Sequence, residues 1–171
     1  MKIPNVLAER YASDRIIKIW SPENKVLLER ELWIAVLKAQ RENGDDVPEE
    51  AIAAYQRTKN DIDLESILER EKIVKHDVKA RIEEFCDLAG YEHIHKGMTS
   101  RDLTENIEQL QVLQSLQHVQ MLAVATLSRL TDLAQQYAEL PVTGRTHNVA
   151  AQITTMGKRF SNVAEEMILA F

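Results

Sequence analysis

Apolar residues recur three and four positions apart along most of this chain, and its few glycines and prolines fall between those runs. From Ser21 to Gly44, Val26, Leu27, Leu32, Trp33, Val36 and Leu37 line one side of a predicted helix. Ser21 is placed to cap it, Pro22 sits at the first helical position and Gly44 stops it. A short helix is predicted to begin at Pro48, in "VPEEAIAAYQR". The stretch "DLESILEREKIV" predicts another, with Asp63 as cap and Leu64, Ile67 and Leu68 facing inward. A fourth spans "KHDVKARIEEFCDLAG", with Val78, Ile82, Phe85 and Leu88 or Ala89 inward and Gly90 at its end.

The longest run, Met98 to Leu140, contains neither Gly nor Pro. Thr99 and Asp102 match a capping box, and Leu103, Ile107, Leu110, Leu113 and Leu116 follow at spacings of three or four. Ala123, Leu127, Leu130, Ala134 and Tyr137 carry the stripe onward. A helix of about 35 residues is roughly 50 Å long, well past ordinary globular length. One short chain does not bury such a rod on all sides, which predicts a long-helix bundle shared between subunits. Pro141 ends the rod, "VTGRTH" reads as an extended linker, and a last helix is predicted from Asn148. That helix reaches Phe171 through Met167, Ile168 and Leu169 without a cap or polar tail, so the chain is expected to be a piece of a longer protein. No strand-rich segment appears, and the expected class is all-α.

Composition narrows the function. The net charge is −6, with both signs interspersed, which argues against a nucleic-acid partner. A local group of Arg and His can still receive an anionic small molecule. Cys86 is the only cysteine, so no intramolecular disulfide forms, in keeping with a reducing compartment. It reads as a half-buried helix residue rather than a catalytic thiol. The opening "MKIPNVLAERYASDR" lacks the apolar core of a signal peptide, and no run approaches the roughly 20 apolar residues of a spanning helix. No membrane association and a cytoplasmic location are expected.

Four polar groups fall at element boundaries. In "ERYAS", Arg10 and Tyr11 suit a phosphate, or are simply a surface Arg and a half-buried Tyr. In "VKHDV", His76 beside Asp77 suits an anionic ligand or acid–base work, or is a helix-start Asp next to a solvated His. In "HIHKGMTSRDLTEN", the His93/His95 pair lacks the further ligands that a metal needs. Thr99 and Ser100 open the long helix, where unpaired amides and hydroxyls suit a carboxylate or phosphate; ordinary capping needs only one of those hydroxyls. In "GRTHN", Gly144 permits close backbone approach, and His147 is expected at a helix mouth. There the dipole favours its neutral form until an anion restores the proton, which it can then give to a leaving nitrogen.

Taken together, "GMTSRDLTEN", the long helix and "GRTHNVAAQITTMGKRF" resemble the fumarase/aspartase superfamily of β-eliminating lyases. "ERYAS" and "KHDVKARIEEF" are similar to the adenylosuccinate lyases within it. The resemblance covers the whole chain. It implies an N-terminal helical domain over residues 1–97, and the start of the central long-helix bundle over 98–171. It also implies a homotetramer with active sites built from three subunits, and cleavage of adenylosuccinate to AMP and fumarate and of succinyl-aminoimidazole-carboxamide ribotide to fumarate. No metal or organic cofactor is implied. By motif, Arg10 and Tyr11 match the phosphate pair. Lys75, His76 and Asp77 match the His-Asp block, with Lys75 where the family often has Arg or Thr. His95 matches a substrate-side His, Thr99 and Ser100 the carboxylate pair, and His147 the general acid. Many members have Gly after that His; here it is Asn148. The family's base is a Ser on a Ser-Ser-x-Met-Pro-x-Lys-x-Asn loop, which these 171 residues do not contain, so the chain alone is expected to be inactive. The competing readings are an argininosuccinate lyase or carboxymuconate cycloisomerase of the same superfamily, and a non-catalytic helical scaffold.

Overall fold

The computed structural model describes residues 5–171. Among them are eight helices and one hairpin: α1 (Val6–Tyr11), α2 (Asp14–Trp20), α3 (Pro22–Glu42), α4 (Glu49–Thr58), α5 (Leu64–Val74), α6 (Asp77–Ala89), α7 (Ser100–Gln136), β1 (Pro141–Thr146), β2 (Val149–Thr155) and α8 (Met156–Ala170). The chain divides into two compact units, one running through Ser115 and the other spanning Leu116–Phe171. No helix among the described residues is long and apolar enough to cross a membrane.

In the first unit, the helix starts follow local chemistry. Ser21 Oγ accepts from the Asn24 amide and Asp63 Oδ1 from the Ser66 amide, so both predicted caps are present. Gly90 ends α6. The core forms where Trp33 and Leu37 of α3, Tyr55 of α4, and Val78 and Phe85 of α6 meet, all 1% exposed or less. The Trp33 and Phe85 rings stack at 6.3 Å. Tyr55 is locked by its hydroxyl, which donates to the Tyr91 carbonyl and accepts from the His93 amide at 3.2 Å. Burial holds that phenol well above its ordinary pKa. One expected core residue, Leu68, faces out instead at 57% exposure, and of the alternatives Leu88 and Ala89 it is Leu88 that is exposed, at 41%. On α5 it is the preceding Ile67 that packs inward, and on α6 it is Ala89, the residue after Leu88, that lies against the core. The region around Arg10 forms α1 and α2, short helices capped by Asn5 and Ser13.

Charged residues also lie inside this unit. Glu29 and Arg30 of α3 are completely buried. Arg30 Nη1 donates to the carbonyls of Thr58, Lys59 and Asp61, closing the end of α4. Its Nη2 pairs with Glu84 of α6 at 2.5 Å, and its guanidinium lies 4.5 Å from the centre of the Phe85 ring. Burying a charge is costly unless it is paired and bonded, and Arg30 meets both conditions.

The second unit corrects the expectation for 141–155. An antiparallel hairpin stands where a linker and the start of a helix were expected. The helix starts only at Met156, capped by Thr155 Oγ1 accepting from the Lys158 amide at 3.2 Å. The physical reason is a run of β-branched residues, Val149, Ile153, Thr154 and Thr155, behind a turn at His147 and Asn148. Both turn residues have positive φ, 49° and 64°, the signature of the tight turn that matches strand twist. Gly144 sits at the irregularity in the ladder, where a Cβ would come within 2.9 Å of the Gln152 carbonyl oxygen. The expected close approach at Gly144 is therefore present. Gly157 allows α8 to meet the end of α7: a Cβ there would lie 2.4 Å from the Ala134 carbonyl oxygen.

Candidate active site

The first unit gathers several of the predicted residues where α5, α6 and α7 begin or end. Lys75 closes α5 in a left-handed conformation, φ 56°, its amide donating to Glu71 O at 2.8 Å. His76 follows as the N-cap of α6, Nδ1 accepting from the Lys79 amide at 3.3 Å. A nitrogen that accepts carries no proton, so the neutral ring holds its proton on Nε2. That Nε2 is 3.5 Å from Ser100 Oγ, at the first residue of α7.

Thr99 and Asp102 form the predicted capping box. The Thr99 amide donates to Asp102 Oδ2 at 2.7 Å, and the Asp102 amide donates to Thr99 Oγ1 at 3.4 Å. The Thr99 oxygen accepts in this cap while its O–H is left to donate, and the Ser100 hydroxyl is the one that faces His76. Asp102 also brings a negative charge to this helix end, so an incoming anion relies more on His76 and Ser100 than on helix charge alone.

His95 lies in the loop before α7 with φ 66°. Trp33 Nε1 donates to His95 Nδ1 at 3.1 Å, and the two rings meet edge to face at 6.0 Å. The neutral His95 proton is therefore also on Nε2. Burial pushes its pKa below the ordinary value; Asp102 pulls the other way, and His76 adds to the lowering. His95 thus shares an electrostatic environment with His76 and with the start of α7. His93 packs against Tyr91, ring centres 6.3 Å apart.

Asp77, the first residue of α6, accepts from Arg81 Nη2 at 2.8 Å through Oδ2. Burial opposes its ionisation, but Arg81 and the Val78 amide outweigh this and hold its pKa below 3.8. Arg81 Nε also lies 2.7 Å from Glu29 Oε2. Burial pushes Glu29 up to about 7, against the pull of Arg81 and Lys25.

The structure does not gather every predicted residue. Arg10 and Tyr11 lie at the end of α1, both exposed, Tyr11 at 77%. They share no hydrogen bond or ion pair with the His76 group among the described residues. His147 belongs to the second unit, where it is the first turn residue of the hairpin; Thr146 Oγ1 lies 3.1 Å from its Nδ1. Among the described residues no helix N-terminus adjoins it, and a hairpin turn stands where a helix mouth was expected. Asn148, where many members of the resembling family have Gly, is at φ 64°, a region that Asn tolerates better than most residues. Its carbonyl accepts from Arg145 Nη1 at 3.0 Å.

Glu29, Arg81 and Trp33 were not among the predicted site residues. The signal was present: charges stand at 29, 30, 81 and 84, inside helical stripes marked by Val26, Trp33, Val78 and Phe85. A charge on an apolar stripe is either paired or functional.

Residues 10–168 match a family profile described as Lyase. This chain belongs to the lyase family. It is a member of the fumarase/aspartase superfamily. Adenylosuccinate lyases from Schistosoma mansoni and Saccharomyces cerevisiae are 30% and 32% identical to it, over 96% and 95% of this chain and 35% of each enzyme. An adenylosuccinate lyase from Archaeoglobus fulgidus is 30% identical over 92% of the chain. The chain spans about a third of the length of the curated relatives it matches. Among solved structures, a fumarate lyase from Mesorhizobium sp. BNC1 superposes with a TM-score of 0.73 at 22% identity, covering 91% of this chain and 39% of that one. A 3-carboxy-cis,cis-muconate lactonizing enzyme from Pseudomonas putida gives 0.79 at 18% identity, covering 95% and 39%. These likenesses bear out the predominantly helical lyase fold.

Proposed function

We propose that this lyase-family chain supplies substrate-binding groups and the general acid of an enzyme that eliminates fumarate from adenylosuccinate, leaving AMP, and from succinyl-aminoimidazole-carboxamide ribotide. The observation that carries the reading is His76 Nε2 beside Ser100 Oγ at the start of α7, with His95 in the same electrostatic environment. A neutral Nε2–H and a hydroxyl can receive one carboxylate of a succinyl group.

The reaction removes a proton from the carbon beside that carboxylate, and the resulting enediolate charge is held by hydrogen-bond donors around it. The electron pair then forms the new carbon–carbon double bond as the C–N bond breaks. The departing nitrogen takes up a proton, which His147 supplies. His147 is exposed on a hairpin tip, which suits a group that meets its substrate only in an assembled site. Thr99 holds the α7 terminus in shape, while Arg10 and Tyr11 receive the phosphate. Lys75 and Asp77 flank His76. No metal or organic cofactor takes part.

Assembly as a homotetramer with shared sites is supported by the apolar residues left exposed along α7, where Leu113, Leu116, Met121, Leu122 and Val124 are each at least half exposed. A cytoplasmic location fits a purine-pathway enzyme. The base, a Ser on a loop outside these 171 residues, completes the reaction, and the chain alone releases no fumarate.

The test is titration of the isolated chain with adenylosuccinate, argininosuccinate and carboxymuconate, following the Ser100 amide and the His76 ring by NMR while assaying fumarate. Shifts with adenylosuccinate alone support the reading. Shifts only with another ligand move the assignment within the superfamily. No response to any ligand favours a scaffold, and fumarate released by the pure chain refutes the missing-base argument.

A further inference from the structure

Two groups compete for His76 Nδ1. The Lys79 amide donates to it at 3.3 Å and needs it without a proton. The Asp77 carboxylate would draw a proton onto it, but Asp77 Oδ1 stops at 3.6 Å, beyond a good hydrogen bond. A modest side-chain rotation would close that gap. What opposes the rotation is Arg81, which holds the other oxygen of Asp77 at 2.8 Å.

Arg81 is itself anchored. Its side chain is 10% exposed, and its Nε lies 2.7 Å from Glu29 Oε2, a carboxylate with no solvent exposure on a different helix. Two carboxylates on different helices thus draw on one guanidinium, Glu29 by charge and Asp77 through a hydrogen bond, and together they limit where its Nη2 points. The chain of contacts therefore runs from the interior of α3, through α6, to the ring that faces Ser100. Neither oxygen of Glu29 nor Nε of Arg81 has a hydrogen-bond partner among the described residues, so charge alone holds this pair. An apolar pair of similar volume would fill this space without leaving charge buried, so the pairing is not needed merely to pack α3 against α6.

We propose that Arg81, anchored on Glu29, is a positioning residue that holds Asp77 away from the His76 ring. It thereby keeps Nδ1 as an acceptor and presents Nε2–H toward Ser100. This rests on the proposed function only in treating His76 as a site residue; the proton's location is a property of the chain itself.

The test is the tautomer of His76, read from its ring nitrogen shifts at about pH 8, above the range in which His ordinarily titrates. Arg81→Met alone leaves Glu29 in the interior without its ion-pair partner and risks unfolding. The double variant Glu29→Met/Arg81→Met removes both charges and retains volume. In the folded double variant, Asp77 turns to the ring, and the ratio of Nδ1–H to Nε2–H rises about fivefold, the factor that one hydrogen bond supplies. Protection of the Lys79 amide from exchange falls with it. Adding Asp77→Ala to the double variant returns the ratio to that of the unaltered chain. A folded double variant with an unchanged ratio overturns the proposal, as does a changed ratio that Asp77→Ala does not reverse. Neither outcome depends on turnover, so failure of the lyase assignment would be seen separately in the ligand titration.

Discussion

Glu29 predicts an unusual dependence of stability on pH. Its pKa is 4.5 when solvated and about 7 in the folded chain, because burial outweighs the attraction of Arg81. Between those values the native state keeps a proton that the unfolded state has released. Stability therefore falls as pH rises through this window. A displacement of this size corresponds to about 3 kcal/mol, reached in full above the folded value. Asp77 acts in the opposite sense and elsewhere. Its pKa is depressed below 3.8, so its stabilising contribution is present above that value and lost as pH falls further. The two groups thus separate along the pH axis. Glu29→Gln removes the titration while keeping the shape. Both tryptophans, Trp20 and Trp33, lie in the first unit, so their fluorescence during urea unfolding reports on that unit. The stability of the unaltered chain minus that of Glu29→Gln should decline by up to about 3 kcal/mol from pH 4.5 to 7 and be flat below. A difference that is constant, or that grows with pH, would show that the Arg81 pair outweighs burial and would refute the reasoning.

Trp33→Phe removes the donor to His95 Nδ1; it should cost about 1 kcal/mol and let the His95 proton redistribute between its nitrogens, which ring nitrogen shifts would record. Gly157→Ala places a Cβ against the Ala134 carbonyl and should destabilise the second unit by about 1–3 kcal/mol, seen as faster amide exchange along α8. Asn148→Gly relieves a positive φ and should slow exchange of the ladder amides flanking the turn, gaining up to about 1 kcal/mol; faster exchange would contradict the turn assignment.

The helices were legible because each carries its own start and stop signals: Ser21 with Pro22, Asp63, and Thr99 with Asp102 all act within four residues of the amides they satisfy. The hairpin was missed for a related reason. Its turn is His147-Asn148 rather than a glycine pair, and the apolar spacing beyond it suits a helix until the β-branched residues are weighed. For the site, motif matching found His76 and Ser100, which the fold brings together across 24 positions. It passed over Arg81 and Glu29, because their meeting depends on how α3 packs against α6, and spacing along the chain does not reveal that.

The buried charges of α3 and α6 also have a consequence for which surfaces recognise each other. Along α3 the order is Glu29 then Arg30; along α6 it is Arg81 then Glu84, and each finds its opposite. Many apolar side chains would tolerate a slide of one helix past the other. This pattern would not, since a slip that opposed Glu29 to Glu84 would strand two carboxylates and two guanidiniums in the interior. Leaving a buried charge without its partner costs about 3–5 kcal/mol, a large part of what a small domain has in reserve. The four residues are thus expected to act as an address, excluding wrong pairings of α3 and α6 more than they strengthen the right one. Exchanging Glu29 with Arg81 and Arg30 with Glu84 together should preserve that address in mirror form, whereas exchanging either pair alone should erase it, as cooperative unfolding of the first unit would reveal.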